Sequence, residues 1–372
     1  MSLKSPSKPS TLKNQSKAQH FHSRSRRIVC SDSLGRWLAM LLLLFGSFTL
    51  SGCSNPSPPP TKATIVVFGT LVDLTLYHPD RQQAEAAIRQ VETEFMRFHT
   101  EWHAWEKGGI IGKVNQAIAE SKPIEVPLSV KTFILKSQAL TRATDGLFDP
   151  GIGKLVELWG FHKERWTGPP PTDEVVQGWR QQRPSLLDLS FQGLTLTSQN
   201  DQVQLDFGGN AKGLAIDMAL DIISNAGIKS ALVSIGGDMK ALGLKNNQAW
   251  SVGIENPIHS GSANQVAAAI QLNAGESLVT SGTYQRYFEW QGQRYSHIIN
   301  PNTGYPAAGF ASVTVLYSDA TTADAAATAL LIAGPMHWLQ LAKRMGLEYV
   351  LCIDEHGQIL QTKAMEKRTK LL

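Results

Sequence analysis

Apolar and polar residues alternate along residues 63–76 and then recur at helical spacing along residues 81–98. Alternation with a period of two is typical of a half-buried strand, and a period near 3.6 is typical of an amphipathic helix. The sequence therefore predicts a strand followed by a helix. The apolar face of that helix is formed by Ala84, Ile88, Val91, Phe95 and Phe98.

The same patterns continue along the rest of the chain without a repeat or a regular strand–helix–strand alternation. Helices are predicted at residues 129–144, 211–225, 323–332 and 337–345. Strands are predicted at residues 194–196, 203–207, 230–235, 250–254, 266–272, 287–295, 312–316, 348–353 and 359–362. We expect one compact α+β unit with mixed or antiparallel sheets and flanking helices, alternatively arranged as two lobes around a cleft. The Pro-rich stretch 168–184 is predicted either to connect two lobes or to pack as a short helix.

The first 52 residues have the pattern of a secretory signal. A basic segment precedes the apolar run at 37–48, which is shorter than the roughly 20 residues of a membrane-spanning helix. Leu50-Ser51-Gly52-Cys53 follows and resembles a bacterial lipobox, which predicts cleavage before Cys53 and its acylation. The alternative is a cytosolic protein with a buried apolar helix. We expect a signal peptide at 1–52, an acylated cysteine and Pro/Ser tether at 53–62, and a folded domain at 63–372.

Cleavage changes the charge and cysteine content. The formal net charge is +4, and residues 1–52 hold eight Lys or Arg and one Asp, so the mature chain has a net charge of −3. A mildly acidic protein lacks the basic balance that favours a nucleic-acid partner. Of the three cysteines only Cys352 would remain free in the domain. Its apolar surroundings predict a buried structural thiol and no disulfide.

Two segments of the domain carry candidate chemistry. Asp324 and Thr328 are spaced i, i+4, which places a carboxylate and a hydroxyl on one helix face within reach of a hard cation. In the second segment, Asp206 precedes two glycines and Lys212, at a turn that leads into a helix. A helix N-terminus favours anions, and a lysine adds positive charge suited to a pyrophosphate. The alternatives are an ordinary Ala-rich helix and a plain tight turn.

Five sequence blocks together make the chain resemble the FAD:protein FMN transferases, the family of ApbE lipoproteins. The resemblance extends from about residue 66 to about residue 334. The blocks are residues 146–150, 206–213, 234–238, 280–283 and 296–304, the last one followed by the Asp324–Thr328 pair. The resemblance implies an α+β fold of this family with an FAD cleft between lobes.

The resemblance also implies a ligand set and a general base. The carbonyl of Gly209 would join Asp324 and Thr328 around Mg²⁺, an all-oxygen set that suits this cation. Some family members have a second carboxylate at the position of Ala327, so one ligand would differ here. His297 is the candidate general base, because an imidazole can accept a proton at neutral pH. The alternative is a structural, hydrogen-bonded histidine.

FAD would be bound as the substrate by a further set of residues. Their roles are the stacking of a ring, the lining of the adenosine side and hydrogen bonding to the nucleotide or flavin, although each aromatic residue is alternatively part of the core. The set comprises Phe68, Trp105, Leu147, Phe148, Asp149, Asp206, Lys212 and Ile299.

The sequence therefore predicts an Mg²⁺-dependent transferase that attaches FMN from FAD to a threonine of an exported redox protein and releases AMP. The resemblance implies an acceptor among the exported subunits of redox pumps, such as the sodium-pumping NADH:quinone oxidoreductase or the related Rnf complex. The alternative is another exported flavoprotein. The alternatives are an FAD pyrophosphatase, which would use water as the acceptor, and an FAD-binding lipoprotein without catalysis. We expect the protein in the cell envelope, anchored to a membrane by lipid and facing the periplasm or the exterior.

Overall fold

The computed structural model describes residues 59–163, 165–166, 168–258 and 265–372. The predicted signal peptide, Cys53 and most of the tether lie outside the described residues. Residues 57–372 form one compact unit.

Antiparallel strands and flanking helices build this unit, so the predicted α+β class is confirmed. The strands are β1 (Thr61–Val67), β2 (Thr70–Leu76), β3 (Ile124–Glu125), β4 (Leu189–Gln192), β5 (Thr195–Ser198), β6 (Ala231–Ile235), β7 (Asp238–Leu242), β8 (Trp250–Glu255), β9 (Val266–Leu272), β10 (Ser277–Gly282), β11 (Tyr287–Trp290), β12 (Gln293–Ser296), β13 (Phe310–Tyr317), β14 (Tyr349–Asp354), β15 (Ile359–Gln361) and β16 (Thr369–Leu371). The helices are α1 (Arg81–Trp102), α2 (Ile110–Ala119), α3 (Leu128–Ala143), α4 (Gly153–Leu158), α5 (Asp173–Gln182), α6 (Ala211–Asn225), α7 (Ala320–Arg344) and α8 (Lys363–Glu366), with a 3₁₀ turn at Leu186–Asp188.

The central sheet has eight strands in the order β1-β2-β6-β7-β10-β13-β14-β15. Every neighbouring pair in it is antiparallel. The described residues also form three smaller sheets: β16-β9-β8, β3-β5-β4 and the hairpin β11-β12. α1 and α6 bury their apolar faces against β1, β2 and β6, and α7 packs on β10 and β13.

Helix α1 shows how the amphipathic pattern is used. The five predicted apolar positions are buried and follow each other at three- and four-residue spacing, and Ala87 is buried beside them. Asp80 caps the helix, because its carboxylate accepts hydrogen bonds from the backbone N–H groups of Gln82 (2.9 Å) and Gln83 (3.1 Å). The helix ends at Trp102, four residues beyond the predicted end.

Two predicted strands are hairpins in the structure. Residues 63–76 form β1 and β2, joined at Phe68 and Gly69, whose φ values are +58° and +69°. Residues 287–295 likewise form most of β11 and β12, joined at Gln291 and Gly292. Both turns have two residues with positive φ, the geometry that matches the twist of a hairpin. The prediction of single strands was wrong because alternation continues across a two-residue turn without a break in phase.

The structure also contains one predicted strand fewer and several strands and helices that the sequence did not predict. Residues 203–207 run extended but pair only through an isolated bridge between Gln204 and Ile152, so they form no strand. Strands β3, β4, β7, β10 and β16 and helices α2, α4 and α8 were not predicted. The 168–184 stretch does contain a short helix, α5, which confirms one of its two predicted alternatives.

Helix α7 is the long apolar helix that carries Asp324 and Thr328. It covers both helices predicted between 323 and 345, and they are separated at Gly334, where φ is +67° and ψ is −178°, just before Pro335. Its length and hydropathy would suit a membrane span, but 61% of its most apolar window is buried inside the protein. In this unit it is a core helix. The free Cys352 is buried on β14, as predicted, and burial raises the pKa of its thiol.

Candidate active site

The three predicted cation ligands lie together, where α7 passes the turn before α6. Asp324 is only 2% exposed, and one of its oxygens, Oδ2, accepts a hydrogen bond from the backbone N–H of Gly213 at 2.9 Å. Thr328 lies one turn further along α7. A Cβ placed on Gly209 would be 3.7 Å from Thr328 Oγ1, so the turn passes directly beside that hydroxyl. On the other side, Ser281 Oγ of β10 is 3.1 Å from Thr328 Oγ1.

This oxygen set fits Mg²⁺ better than a transition metal. Within the described residues, no three His, Cys, Asp or Glu side chains form a group suited to a metal ion. Mg²⁺ typically takes one or two carboxylates and completes its shell with water and substrate phosphates. The second oxygen of Asp324 accepts no hydrogen bond from the described residues, so it remains available to a cation. Burial raises the pKa of Asp324 to about 7, with Lys212 opposing and Asp238 adding to the effect.

Asp238 is a site residue that the sequence analysis missed. It begins β7 and is 1% exposed; Oδ1 accepts the N–H of Thr280 at 2.8 Å, and Oδ2 accepts a hydrogen bond from Nζ of Lys212. Burial disfavours the charged lysine, but Asp238 and Asp324 outweigh it and raise the pKa of Lys212. The Lys212 side chain is 32% exposed, and Asp238 orients its charged ammonium group near Asp324. The sequence does contain a signal that could have indicated Asp238, because this carboxylate directly follows the Gly236-Gly237 turn.

The amide groups of the Gly-Gly turn are mostly used inside the chain. Gly208 N donates to Asp206 Oδ1 (2.9 Å), and the N–H groups of Asn210 and Ala211 donate to the carbonyl of Phe207 (3.0 and 2.8 Å). The sequence predicts a bound anion at the N-terminus of α6. In the structure the carboxyl group of Asp324 takes that place and accepts the N–H of Gly213. A pyrophosphate would therefore depend on Lys212 and a cation more than on this turn.

His297 follows β12 and is held in one orientation by a single carbonyl. Its backbone N–H (3.1 Å) and its Nδ1 (3.0 Å) both contact the carbonyl oxygen of Arg286. Since a carbonyl only accepts, Nδ1 carries a proton and Nε2 is the free acceptor. Burial lowers the pKa of His297 to about 4, and the positive charges of Arg286 and Lys212 act in the same direction. The imidazole is therefore neutral at pH 7.

Arg286 is a second residue that the sequence analysis missed. Its guanidinium donates to the carbonyl oxygens of Phe161 and Lys163, the latter at 3.0 Å. The segment around residue 161 is thereby attached to the residue whose own carbonyl orients His297. This contact joins residues more than 120 positions apart, so no local pattern could reveal it.

Trp105 and Asp206, two of the predicted FAD contacts, are hydrogen-bonded to each other. The indole Nε1 donates to Asp206 Oδ2 at 3.1 Å, across a sequence separation of 101 residues. The Trp105 ring lies 5.2 Å from the ring of His162. Asp206 begins the turn that contains Gly209, so the Trp105 contact and the cation ligands belong to one continuous region.

The three residues of the Leu147–Asp149 segment have different contacts. Phe148 is buried, and its ring would be 3.2 Å from a Cβ on Gly209, so it packs directly under the turn. Leu147 is partly buried against the core around α7. The carboxylate of Asp149 accepts three hydrogen bonds, from Gly151 N (2.8 Å), Leu186 N (2.8 Å) and Ser185 Oγ (2.5 Å). These contacts make it a group that fixes the backbone.

Two further predicted FAD contacts pack inward. The Phe68 ring, at the β1–β2 turn, lies 5.2 Å from the ring of Phe95 and 5.8 Å from that of Phe98 on α1. Ile299 is 4% exposed within an aromatic cluster that includes Trp159. Their contacts in the structure are those of core residues. A surface cavity of about 490 Å³ near Arg89 and Ile222 is lined by none of the predicted site residues.

The buried pair of Lys212 and Asp238 gives a stability prediction. Asp238→Ala should lower the free energy of unfolding by about 3 kcal/mol, because it removes the partner of a mostly buried charge. Lys212→Met should also destabilise, since it leaves Asp238 unpaired. Urea unfolding of both variants and of the double variant measures the coupling, and we expect the double variant to lose less than the sum. Strictly additive losses would show that Lys212 and Asp238 do not stabilise each other.

Comparisons with known proteins agree on one family. The sequence model of the ApbE family matches residues 68–351. A protein of Rhodobacter capsulatus named FAD:protein FMN transferase is 38% identical over 310 residues, covering 83% of this chain and 58% of its own length. A protein of the same name from Vibrio cholerae is 29% identical and is covered over 90% of its length.

Solved structures agree with the sequence comparison. The crystal structure of the ApbE protein of Thermotoga maritima has a TM-score of 0.75 at 29% identity, covering 84% of this chain and 99% of that one. The flavin transferase ApbE of Vibrio cholerae has a TM-score of 0.73 at 26% identity, covering 83% and 100%.

Proposed function

Because the chain belongs to the ApbE family, we propose that it is an Mg²⁺-dependent FAD:protein FMN transferase. In this reaction the FMN half of FAD is attached to a threonine of an acceptor protein and AMP is released. The observation that carries the proposal is the grouping of Asp324, Thr328 and the Gly209 turn beside a charged Lys212. This arrangement is suited to a pyrophosphate.

The cation would be held by the carboxylate of Asp324, the hydroxyl of Thr328 and the carbonyl of Gly209. When bound, Mg²⁺ would neutralise negative charge that develops on the pyrophosphate oxygens. Lys212 contributes a second positive charge there, and Asp238 keeps its ammonium group oriented. Ser281 fixes the hydroxyl of Thr328 from the side of β10.

His297 supplies the base. Nδ1 is protonated and bonded to Arg286, so Nε2 accepts the proton of the acceptor hydroxyl. The hydroxyl oxygen then forms a bond to the phosphorus of the FMN half. The bond between that phosphorus and the bridging oxygen breaks, and the electron pair leaves with AMP. Atoms and charge balance without any oxidant or reductant.

The experiment that tests the function uses residues 57–372, which form a compact unit. They are incubated with FAD, Mg²⁺ and a threonine-bearing acceptor domain, and acceptor mass and AMP are followed by mass spectrometry. We expect the acceptor to gain the mass of the FMN group in step with AMP, and EDTA to prevent both. AMP and free FMN without acceptor labelling would instead indicate an FAD pyrophosphatase. Intact bound FAD would indicate a flavin carrier.

We infer the acceptor and the cellular location from the sequence and the family resemblance. The acceptor would be an exported redox protein, such as a subunit of a sodium-pumping NADH:quinone oxidoreductase or of an Rnf complex, or another exported flavoprotein, with the threonine in a short Asp-Gly/Ser-Ala/Ser-Thr-like motif. A signal peptide at 1–52 and an acylated Cys53 would place the enzyme at a membrane, facing the periplasm or the exterior. The Leu50–Cys53 pattern supports this proposal.

Replacement of the proposed lipid attachment site provides a direct test of location. Cys53→Ser should move the protein from the membrane fraction to the soluble fraction, because the acyl chains are the only anchor proposed. Fractionation followed by immunoblotting measures this, with Cys352→Ser as the matched control. A Cys53→Ser protein that has lost the segment before residue 53 and still stays with the membrane would refute the lipid anchor.

A further inference from the structure

The loop between α1 and α2 is organised by the imidazole of His103, the residue directly after α1. His103 Nδ1 accepts two backbone hydrogen bonds, from the N–H of Trp105 (3.2 Å) and the N–H of Glu106 (3.0 Å). The loop then returns tightly to α1, since a Cβ on Gly109 would lie 2.4 Å from the carbonyl oxygen of Thr100. The imidazole therefore caps the first half of a sharply folded loop.

The side chain presented by this loop is Trp105. Its indole Nε1 donates to Asp206 Oδ2 at 3.1 Å, and Asp206 Oδ1 accepts the N–H of Gly208 at 2.9 Å. Contacts therefore run without a gap from His103, through the backbone and indole of Trp105, to the turn before α6. That turn contains Gly209, a proposed cation ligand. An uncapped loop would sample more conformations, and the entropy of ordering it would oppose ligand binding.

We propose that His103 is a positioning residue that sets the affinity for FAD by fixing Trp105 against Asp206. The inference rests on the proposed function, because it takes FAD as the ligand of this region. His103 does not need to touch FAD in this role. Its effect should appear in FAD binding and leave the chemical step unchanged, since His297 and the cation ligands belong to other elements.

The chemistry of the cap determines which replacements are tolerated. Nδ1 must be unprotonated to accept both N–H groups, so the neutral tautomer carries its proton on Nε2, 4.0 Å from Glu106 Oε1. The Oδ1 atom of asparagine is also bonded to Cγ and can occupy the position of Nδ1. Asparagine commonly accepts such hydrogen bonds from the residues that follow it. Glutamine places its oxygen one bond further out, where it cannot cap the same two groups.

The experiment compares the wild type with His103→Asn, His103→Gln and His103→Leu. Equilibrium FAD binding is measured by calorimetry, and KM for FAD and kcat are measured in the transfer assay. We expect His103→Gln and His103→Leu to raise both the Kd and the KM for FAD about tenfold, the effect of losing one to two net hydrogen bonds. kcat should stay within about twofold, and His103→Asn should match the wild type.

Several results would overturn this role. Equal FAD affinity in His103→Gln and the wild type would do so, as would a loss in His103→Asn as large as in His103→Leu. A fall in kcat at unchanged KM would show that His103 acts on chemistry instead. The melting temperature of each variant shows whether the substitution destabilises the whole fold. His103→Asn should melt at the temperature of the wild type. If the wild type neither binds nor cleaves FAD, the proposed function itself fails and this inference with it.

Discussion

Asp324→Asn is expected to reduce FMN transfer at least about 100-fold while leaving the metal-free protein as stable as the wild type or more stable. Asparagine keeps an oxygen that can accept the N–H of Gly213, so the local structure should persist. It lacks the negative charge that a divalent cation needs. Activity and Mg²⁺ binding by calorimetry are measured beside Asp221→Asn, a matched control on the exposed face of α6.

The stability part of this prediction follows from the pKa of Asp324. Burial raises that pKa to about 7 in the folded chain, well above the ordinary value for aspartate. The folded state therefore prefers the protonated carboxyl. The resulting stabilisation is complete below the ordinary pKa and is lost as the pH rises through about 7.

Thermal unfolding in EDTA tests this sign directly. As the pH rises from 5 to 8, the melting temperature of the wild type should fall relative to that of Asp324→Asn. Added Mg²⁺ should stabilise the wild type more at pH 8 than at pH 6, and should not stabilise the variant. A variant that melts well below the wild type in EDTA at pH 8 would show that the carboxylate is structurally required instead.

His297→Ala is expected to lower the rate of transfer about 10² to 10⁴-fold, the usual contribution of a positioned general base. FAD binding should change little, because the variant keeps Lys212 and the proposed cation ligands. Transfer to the acceptor and FAD affinity are measured in parallel, with His356→Ala, an exposed histidine in the β14–β15 turn, as the control. Loss of FAD binding together with activity would assign His297 to binding instead.

The pH dependence gives an independent test of the same residue. The pKa of His297 is lowered to about 4, so the neutral base is present throughout the range from pH 8 down to about pH 5. At saturating Mg²⁺, which keeps Asp324 ionised, kcat/KM should therefore stay nearly constant on the acidic side until about pH 5. An ordinary histidine would instead cause a decline near pH 6.5. Such a decline would contradict a half-buried imidazole that stays uncharged down to about pH 5.

The candidate site was predictable where it depends on local spacing. Asp324 and Thr328 lie one helical turn apart, and this spacing can be counted in the sequence. The Gly208-Gly209 turn before α6 is equally local. Asp238 and Arg286 were missed because their partners, Lys212 and Phe161, are distant in the sequence. The Gly236-Gly237 turn marks the position of Asp238 but does not reveal its contact with Lys212.

The fold shows the same division. The apolar stripe of α1 and the interruption of α7 at Gly334 follow from periodicity and from a Gly-Pro pair. The hairpin at Phe68 was missed because its turn lacks an Asn-Gly or Asp-Gly signal, although φ is positive at both residues. Helix α2 was missed because it is short and Gly109, its N-terminal flank, provides no side-chain cap.

By itself the sequence determined the α+β class, the family and the residue types that can hold a cation and accept a proton. Only the tertiary structure decided in which charge state these residues act. Burial raises the pKa of Asp324 and lowers that of His297, and Asp238 keeps Lys212 charged despite its burial. Charge states depend on solvent exclusion and on neighbours from distant strands, and neither is encoded in local spacing.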